Sequence, residues 1–325
     1  MDSEAKPYLT IAITNSCNFR CGYCSPTEKG GFGEGFGTEN QKPDLEDLEE
    51  KVLIAEEEGI TKVRITGGEP LVVKGIMDLL TFFENKTSLE YALATNGSLV
   101  GKHIDALSDL SRLDLRISLD TLHEQKFNEI CGVEGQYKIV MDNIHALTDV
   151  GILKRVAMVV TSENVDEVES MIDFCEELGI NLKLFDMYAT SATLELWKNM
   201  YSPLDKAREI VESRSTTARQ VTYTKNFGIP SLEYETKAGI IVRIKDSTAG
   251  TKYSQEFCGD CNALPCQEGL YTVLYSPNKK LIPCRLSPAH FEAETPEQFR
   301  TSLKKLINIF QQSHHENRFW SGMYG

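Results

Sequence analysis

The sequence predicts an α/β protein: a partial (β/α)6 barrel of the TIM type, followed by a small C-terminal domain of β-hairpins and a helix. Strand-like and helix-like segments alternate six times between residues 9 and 186, and repeated βα units imply a parallel sheet. Six units rather than eight leave the barrel open on one side. The least ordinary residues also fall directly after strands, which is where barrels of this type carry their chemistry.

Strand one, residues 9–14, is an apolar, β-branched run that leads straight into cysteines. A helix follows, with Leu45, Leu48, Val52 and Ala55 at helical spacing and glutamates on the other face. Strand two (62–66) ends in Gly67-Gly68-Glu69-Pro70, strand three (91–95) in Thr95-Asn96-Gly97, and strand four (113–118) in Ser118-Leu119-Asp120. Strands five and six are read at 155–160 and 181–185. Residues 188–215 read as a loop plus a polar helix, and a domain boundary is placed near 215, dividing the chain into 1–215 and 216–325. Beyond it come hairpin-like segments at 239–245 and at 269–275 with 280–282, then a helical segment at 296–312.

With 325 residues, 41% apolar and 25% charged, the chain has the composition of a soluble globular protein. No apolar run approaches the ~20 residues of a membrane span, and the N-terminus lacks a secretory layout. Nine cysteines in an unsecreted chain point to metal or catalysis rather than disulfides, and hence to the cytoplasm. The net charge of −14 is uneven: from Thr216 onward 13 basic residues face 10 acidic ones, while the rest carries −17. An acidic exterior argues against nucleic acid as a partner.

The run Cys17-Asn-Phe-Arg-Cys21-Gly-Tyr-Cys24 carries the most chemistry. Zinc sites usually pair their cysteines and complete a tetrahedron with a distant pair. A tight trio suits an iron–sulfur cluster that keeps one iron open for a small molecule. Gly67 and Gly68 let the backbone approach a ligand, and the Glu69 carboxylate is a candidate partner for an ammonium group. Thr95, Asn96 and Ser118 are candidate contacts to a carboxylate or ribose, Lys154 to a carboxylate, and Met187 to an adenine. The glycine-rich stretch 30–37 reads as a flap beside the first cysteines. A second group, Cys258, Cys261, Cys266 and Cys284, suits either a second iron–sulfur cluster or a structural zinc. If all four bind iron, that cluster carries electrons or provides structure; if three do, an open iron can meet substrate. Cys131 and Cys175, alone in helical surroundings, read as packing thiols.

At residues 11–24, 64–71, 94–97 and 116–121 the chain resembles the radical S-adenosylmethionine (SAM) superfamily, and more narrowly the molybdenum-cofactor GTP 3′,8-cyclases. That resemblance implies a [4Fe-4S] cluster on Cys17, Cys21 and Cys24, and SAM held by Gly67, Gly68, Glu69, Thr95, Ser118 and Lys154. It also moves Cys258, Cys261 and Cys284 towards a second [4Fe-4S] cluster. The reaction implied is reductive cleavage of SAM to a 5′-deoxyadenosyl radical, with flavodoxin or ferredoxin as electron donor.

Four departures from the cyclases matter. Ser16 stands where they carry an arginine, Leu71-Val72-Val73-Lys74 where another follows the glycine turn, Ala263 and Pro265 where two follow the second cysteine pair, and Met323-Tyr324-Gly325 where the family ends in Gly-Gly. A triphosphate needs such cations. The expectation is therefore a modest-sized, non-triphosphate substrate undergoing cyclisation, carbon–carbon bond formation, epimerisation or oxidation. A peptide maturase ranks second because few residues precede residue 9 to form a leader-binding domain. GTP cyclisation ranks third, and a zinc-stapled binding module is the alternative outside enzymes.

Overall fold

The computed structural model describes residues 6–24, 43–187, 194–221, 231–246, 251–259, 261, 266, 268–285, 287 and 289–316. The stretch 30–37, Ala263, Pro265 and the last three residues lie outside them. The elements run β1 (Tyr8–Ala12), α1 (Leu45–Glu57), β2 (Lys62–Thr66), α2 (Ile76–Lys86), β3 (Glu90–Thr95), α3 (Ile104–Ser108) and β4 (Leu113–Ser118). They continue with α4 (Glu124–Cys131), α5 (Tyr137–Asp149), β5 (Leu153–Val160), α6 (Val168–Leu178), β6 (Asn181–Asp186), α7 (Leu194–Met200) and α8 (Asp205–Arg214). The last third holds β7 (Ser215–Val221), β8 (Ser231–Thr236), β9 (Ile241–Lys245), β10 (Thr251–Tyr253), α9 (Gln255–Cys258), β11 (Thr272–Tyr275), β12 (Lys280–Ile282), β13 (Phe291–Glu292), α10 (Pro296–Gln312) and β14 (His314–Glu316).

β1 to β6 pair in sequence order, all parallel, as the six βα units require. Their outward side chains, such as Ile11, Val63, Ile65, Leu115, Ile117, Val156 and Leu184, are buried in one apolar core. The other face of each strand reads differently: Arg64, Arg116, Arg155 and Lys183 alternate with those apolar residues. The barrel therefore has an apolar outside under its helices and a charged inside.

The expected hairpins form, β8 with β9 and β11 with β12, both antiparallel, and two further pairings join them to the barrel. β9 continues the sheet parallel to β6, and β11 continues it parallel to β1. The strand order is β13-β12-β11-β1-β2-β3-β4-β5-β6-β9-β8-β7. Chain after residue 215 thus extends both edges of the barrel sheet, since an open edge is a row of unpaired donors and acceptors awaiting a strand. Residues 194–214 form two helices rather than one.

α10 matches its expected span because its ends are chemically marked. Thr295 accepts from Gln298 N at 3.2 Å, Gln298 returns a contact to the cap backbone, and Pro296 opens the helix. Its buried face, Phe299, Leu303, Leu306 and Phe310, lies near α1. Lys51 of α1 fixes the contact: its fully buried Nζ donates to Asp47 Oδ2 at 2.7 Å, Tyr275 OH at 3.0 Å and Glu294 O at 2.9 Å. Lys51→Ala leaves Glu294 O and Tyr275 OH without this buried donor and Asp47 with Lys279 as its ion-pair partner, at 3.0 Å. It is expected to lower the unfolding free energy by about 3 kcal/mol, read as an earlier urea midpoint.

Candidate active site

The rim carrying the strand C-termini is assembled by backbone contacts between neighbouring strand ends. Ile13 N donates to Thr66 O at 2.9 Å, Gly68 N to Thr14 O at 2.7 Å and Glu69 N to Ser16 O at 2.8 Å. The approach is so close that a Cβ on Gly68 would lie 2.1 Å from the Ser16 carbonyl oxygen. The glycines thus hold the cysteine loop against the end of β2.

Glu69 is fully buried and serves this joint. Its Oε1 accepts from Leu71 N at 3.0 Å and Thr95 Oγ1 at 2.8 Å, and its Oε2 from Asn96 N at 2.7 Å. Burial raises its pKa and the three donors pull it back down. Both carboxylate oxygens are therefore engaged within the chain. Asn96 extends the network: its Nδ2 donates to Asn18 Oδ1 at 2.9 Å, and its Oδ1 accepts from Ser98 Oγ at 2.6 Å.

The three cysteines converge above this base. Cys17 Sγ accepts from Phe19 N at 3.3 Å, and burial pushes its thiol up, with Glu69 and Cys21 adding to the rise. Cys24 is open to solvent as a residue. Its thiol is nonetheless crowded on the inner side and pushed up first by desolvation, then by Cys21 and Cys17. Tyr23, between them in sequence, donates to Asp120 beyond β4. Asp120 Oδ1 accepts from Val159 N at 2.8 Å, and burial lifts its carboxyl to about 6. Tyr23 also packs near Met187 and Trp197, where Trp197 Nε1 donates to Met187 O at 2.9 Å. Ser118 is exposed at the end of β4 on the same rim.

Lys154 is not brought there. It sits at the start of β5, exposed beside Ser108, Leu113 and Gly151 on the opposite rim. Strand alternation turns it outward and its neighbour Arg155 inward, where Arg155 pairs with Asp114 at 3.3 Å. The second cysteine group occupies that opposite rim as well. Cys266 precedes β11, which runs with β1, and Cys284 follows β12, which runs back. Cys266 Sγ accepts from Gly269 N at 3.4 Å, and burial lifts its thiol to about 11, with Cys258 and Glu268 contributing. Between the two rims lie inward cations: Arg64, Arg116, Arg155, Lys183, Arg243 and Lys245, against the carboxylates Asp114 and Glu233. Lys183 is held well below the usual lysine range by burial and then by Arg64, Lys245 and Arg116.

The radical SAM superfamily matches residues 11–175 of the chain. This protein belongs to that superfamily. Among curated proteins, a GTP 3′,8-cyclase of Hydrogenovibrio crunogenus is 32% identical over 78% of this chain and 76% of its own. One from Alkaliphilus metalliredigens is 28% identical over 95% and 91%. Among solved structures, Streptococcus suis SuiB bound to its precursor peptide SuiA superposes with a TM-score of 0.65 at 17% identity, covering 94% of this chain and 65% of that one. The protein anSMEcpe with bound AdoMet gives 0.54 at 14%, covering 93% and 82%. The chain spans just under two thirds of SuiB.

Radical SAM membership implies a [4Fe-4S] cluster and SAM, and the donor set fits. Three thiols share one partly buried loop, and Cys21 adds to burial in raising the proton affinity of Cys17 and Cys24. Among the described residues no three His, Cys, Asp or Glu side chains close onto single-ion geometry. A cubane spreads its three cysteines over three separate irons. Sequence reasoning missed the inward cations because they are spread over five strands, one each except for Arg243 and Lys245 on β9; period-two alternation across those strands could have found them. Cys131 is buried in the apolar core as a packing thiol, and its backbone carbonyl accepts from Arg20 N at 2.9 Å. Cys175 is buried within α6, a packing thiol as expected. Among the described residues no helix is long and apolar enough to cross a membrane.

Proposed function

We propose that this radical SAM enzyme removes hydrogen from a modest-sized anionic small molecule lodged in the barrel interior, between its two cysteine groups. The excess of inward cations over carboxylates carries this reading. Among the described residues, Arg64, Arg116, Arg155, Arg243 and Lys245 outnumber the carboxylates Asp114, Glu233 and Glu268 and make a low-dielectric chamber that favours phosphate or carboxylate groups. When bound, the cluster on Cys17, Cys21 and Cys24 supplies the electron that cleaves SAM. Around it Gly67, Gly68, Glu69, Thr95 and Asn96 fix the cofactor rim, while Ser118 and the Met187 region border the nucleoside end. Residues 216–325 are read as an auxiliary domain holding a second [4Fe-4S] cluster through Cys258, Cys261 and Cys284, with Cys266 as a fourth candidate. The absent loop arginines favour a substrate smaller than a triphosphate, altered by cyclisation, bond formation, epimerisation or oxidation.

A second reading, GTP 3′,8-cyclisation, is supported by the curated relatives that align along most of the chain. A peptide substrate draws only on the shared fold of SuiB. To separate them, anaerobic, cluster-loaded protein is given dithionite and SAM with GTP, then with panels of phosphorylated and carboxylated small molecules. The reading is supported by 5′-deoxyadenosine release that rises with a non-triphosphate anion; a response to GTP alone selects the second reading, and a response only to uncharged molecules sinks both. Once a substrate is found, Arg64→Met should raise its KM about tenfold or more, the worth of one charged hydrogen bond, with a smaller change in kcat.

A further inference from the structure

Strands β11, β1 to β6 and β9 run parallel, and β9 and β11 are the outermost of them. These two do not pair with each other, so the barrel stays open between them. One side-chain contact crosses that gap. Lys245, at the end of β9 and 6% exposed, donates from Nζ to the hydroxyl of Tyr271, just before β11, at 3.3 Å. The same Nζ lies 4.9 Å from the centre of the Tyr271 ring. Tyr8 of β1 fixes that ring: it meets it edge-on at 6.2 Å, and Tyr8 N donates to Tyr271 O at 2.8 Å.

Elsewhere in the chamber cations meet carboxylates, Asp114 with Arg116 and Arg155, and Glu233 with Arg243. The groups facing Tyr271 are Lys245, Arg64 of β2 and Lys183 of β6, against Glu268 on its own segment. Tyr271 is only half-buried, and among the described residues nothing accepts its phenol proton. We propose that Lys245 and Tyr271 form a subsite for one oxyanion group of the substrate at the open side of the barrel, an inference that rests on the anionic substrate proposed above. The ammonium supplies the charge and the phenol O–H a second donor, a pair that suits a phosphate or a carboxylate. Burial opposes ionisation of the phenol and Glu268 adds to that, but Lys245, Arg64 and Lys183 favour it and draw its pKa down to about 7. Tyr23, Tyr91, Tyr137, Tyr234 and Tyr275 are all pushed the other way. A phenolate near neutral pH is therefore a signature of Tyr271. A bound anion favours the protonated phenol, and at higher pH the phenolate repels the anion.

The test is a sulfate titration of the full, cluster-loaded chain from slightly acidic to alkaline pH, where sulfate keeps its charge. Binding is read by calorimetry and by the ultraviolet absorption of phenolate. Wild type is expected to bind sulfate, to lose phenolate absorption as it does so at alkaline pH, and to bind more weakly as pH rises. Lys245→Met should weaken binding about tenfold or more, the worth of one charged hydrogen bond. Tyr271→Phe should abolish both the absorption change and the fall in affinity with pH. Sulfate binding that Arg64→Met weakens but neither of these variants alters overturns the subsite and leaves the anionic chamber standing. No sulfate binding by wild type sinks both. Should one variant fail to fold, the other decides by the same readings.

Discussion

Cys21→Ala is expected to abolish formation of 5′-deoxyadenosine and to remove about four irons per chain, the content of one cubane. A cluster on Cys17, Cys21 and Cys24 would have three protein ligands and need an iron open to SAM, so no ligand would be spare. Outer-shell partners of metal ligands alone are worth about 10–100-fold, and losing a ligand costs more. Iron and sulfide analysis beside a SAM-cleavage assay checks both halves. Cleavage persisting in Cys21→Ala would remove the reaction from this loop. Irons remaining after all three cysteines are replaced would reside at the second group, and adding Cys266→Ala in that background tests its fourth position.

Gly68→Ala should be nearly as damaging, although it removes no functional group. The added methyl would lie 2.1 Å from the carbonyl oxygen of Ser16 and 2.5 Å from its carbon. Those are backbone atoms, which cannot swing aside as a flexible side chain can. Relief requires the loop before Cys17 to move away from β2, lengthening the Gly68–Thr14 and Glu69–Ser16 hydrogen bonds. Buried donors left without partners cost about 1–3 kcal/mol each, so a destabilisation of roughly 3 kcal/mol or more follows. Gly22→Ala is the control, since nothing lies within 4 Å of its Cβ position. Thermal unfolding and iron loading should separate the two variants; equal melting temperatures would contradict the clash.

The barrel was legible in the sequence because each parallel strand is a short run rich in apolar residues closed by a turn, and most predicted ends fall within two residues of the observed ones. The cysteine trio and the glycine turn were legible for a related reason: their spacing is local. What escaped is long-range or a matter of parity. Nothing near residues 241–245 or 272–275 reveals that they pair with β6 and β1. Lys154 and Arg155 are adjacent, and only the strand's alternation decides which enters the barrel. Glu69 looks like a ligand in sequence, yet its three donors come from Leu71, Thr95 and Asn96. The end of α4 meets the cysteine loop only in the fold, where Cys131 O accepts from Arg20 N and Ile130 O from Gly22 N.

The pairing of β1 with β11 has a consequence for synthesis. Tyr8 is in register with Thr272, so one edge of β1 stays bare until synthesis has run 264 residues further, to Thr272. The contacts that shape the cysteine loop need chain only up to the β5 residue Val159. The loop that would hold iron can therefore organise on the nascent polypeptide well before the strand that closes its flank exists. Sealing the barrel is a late, high-contact-order event.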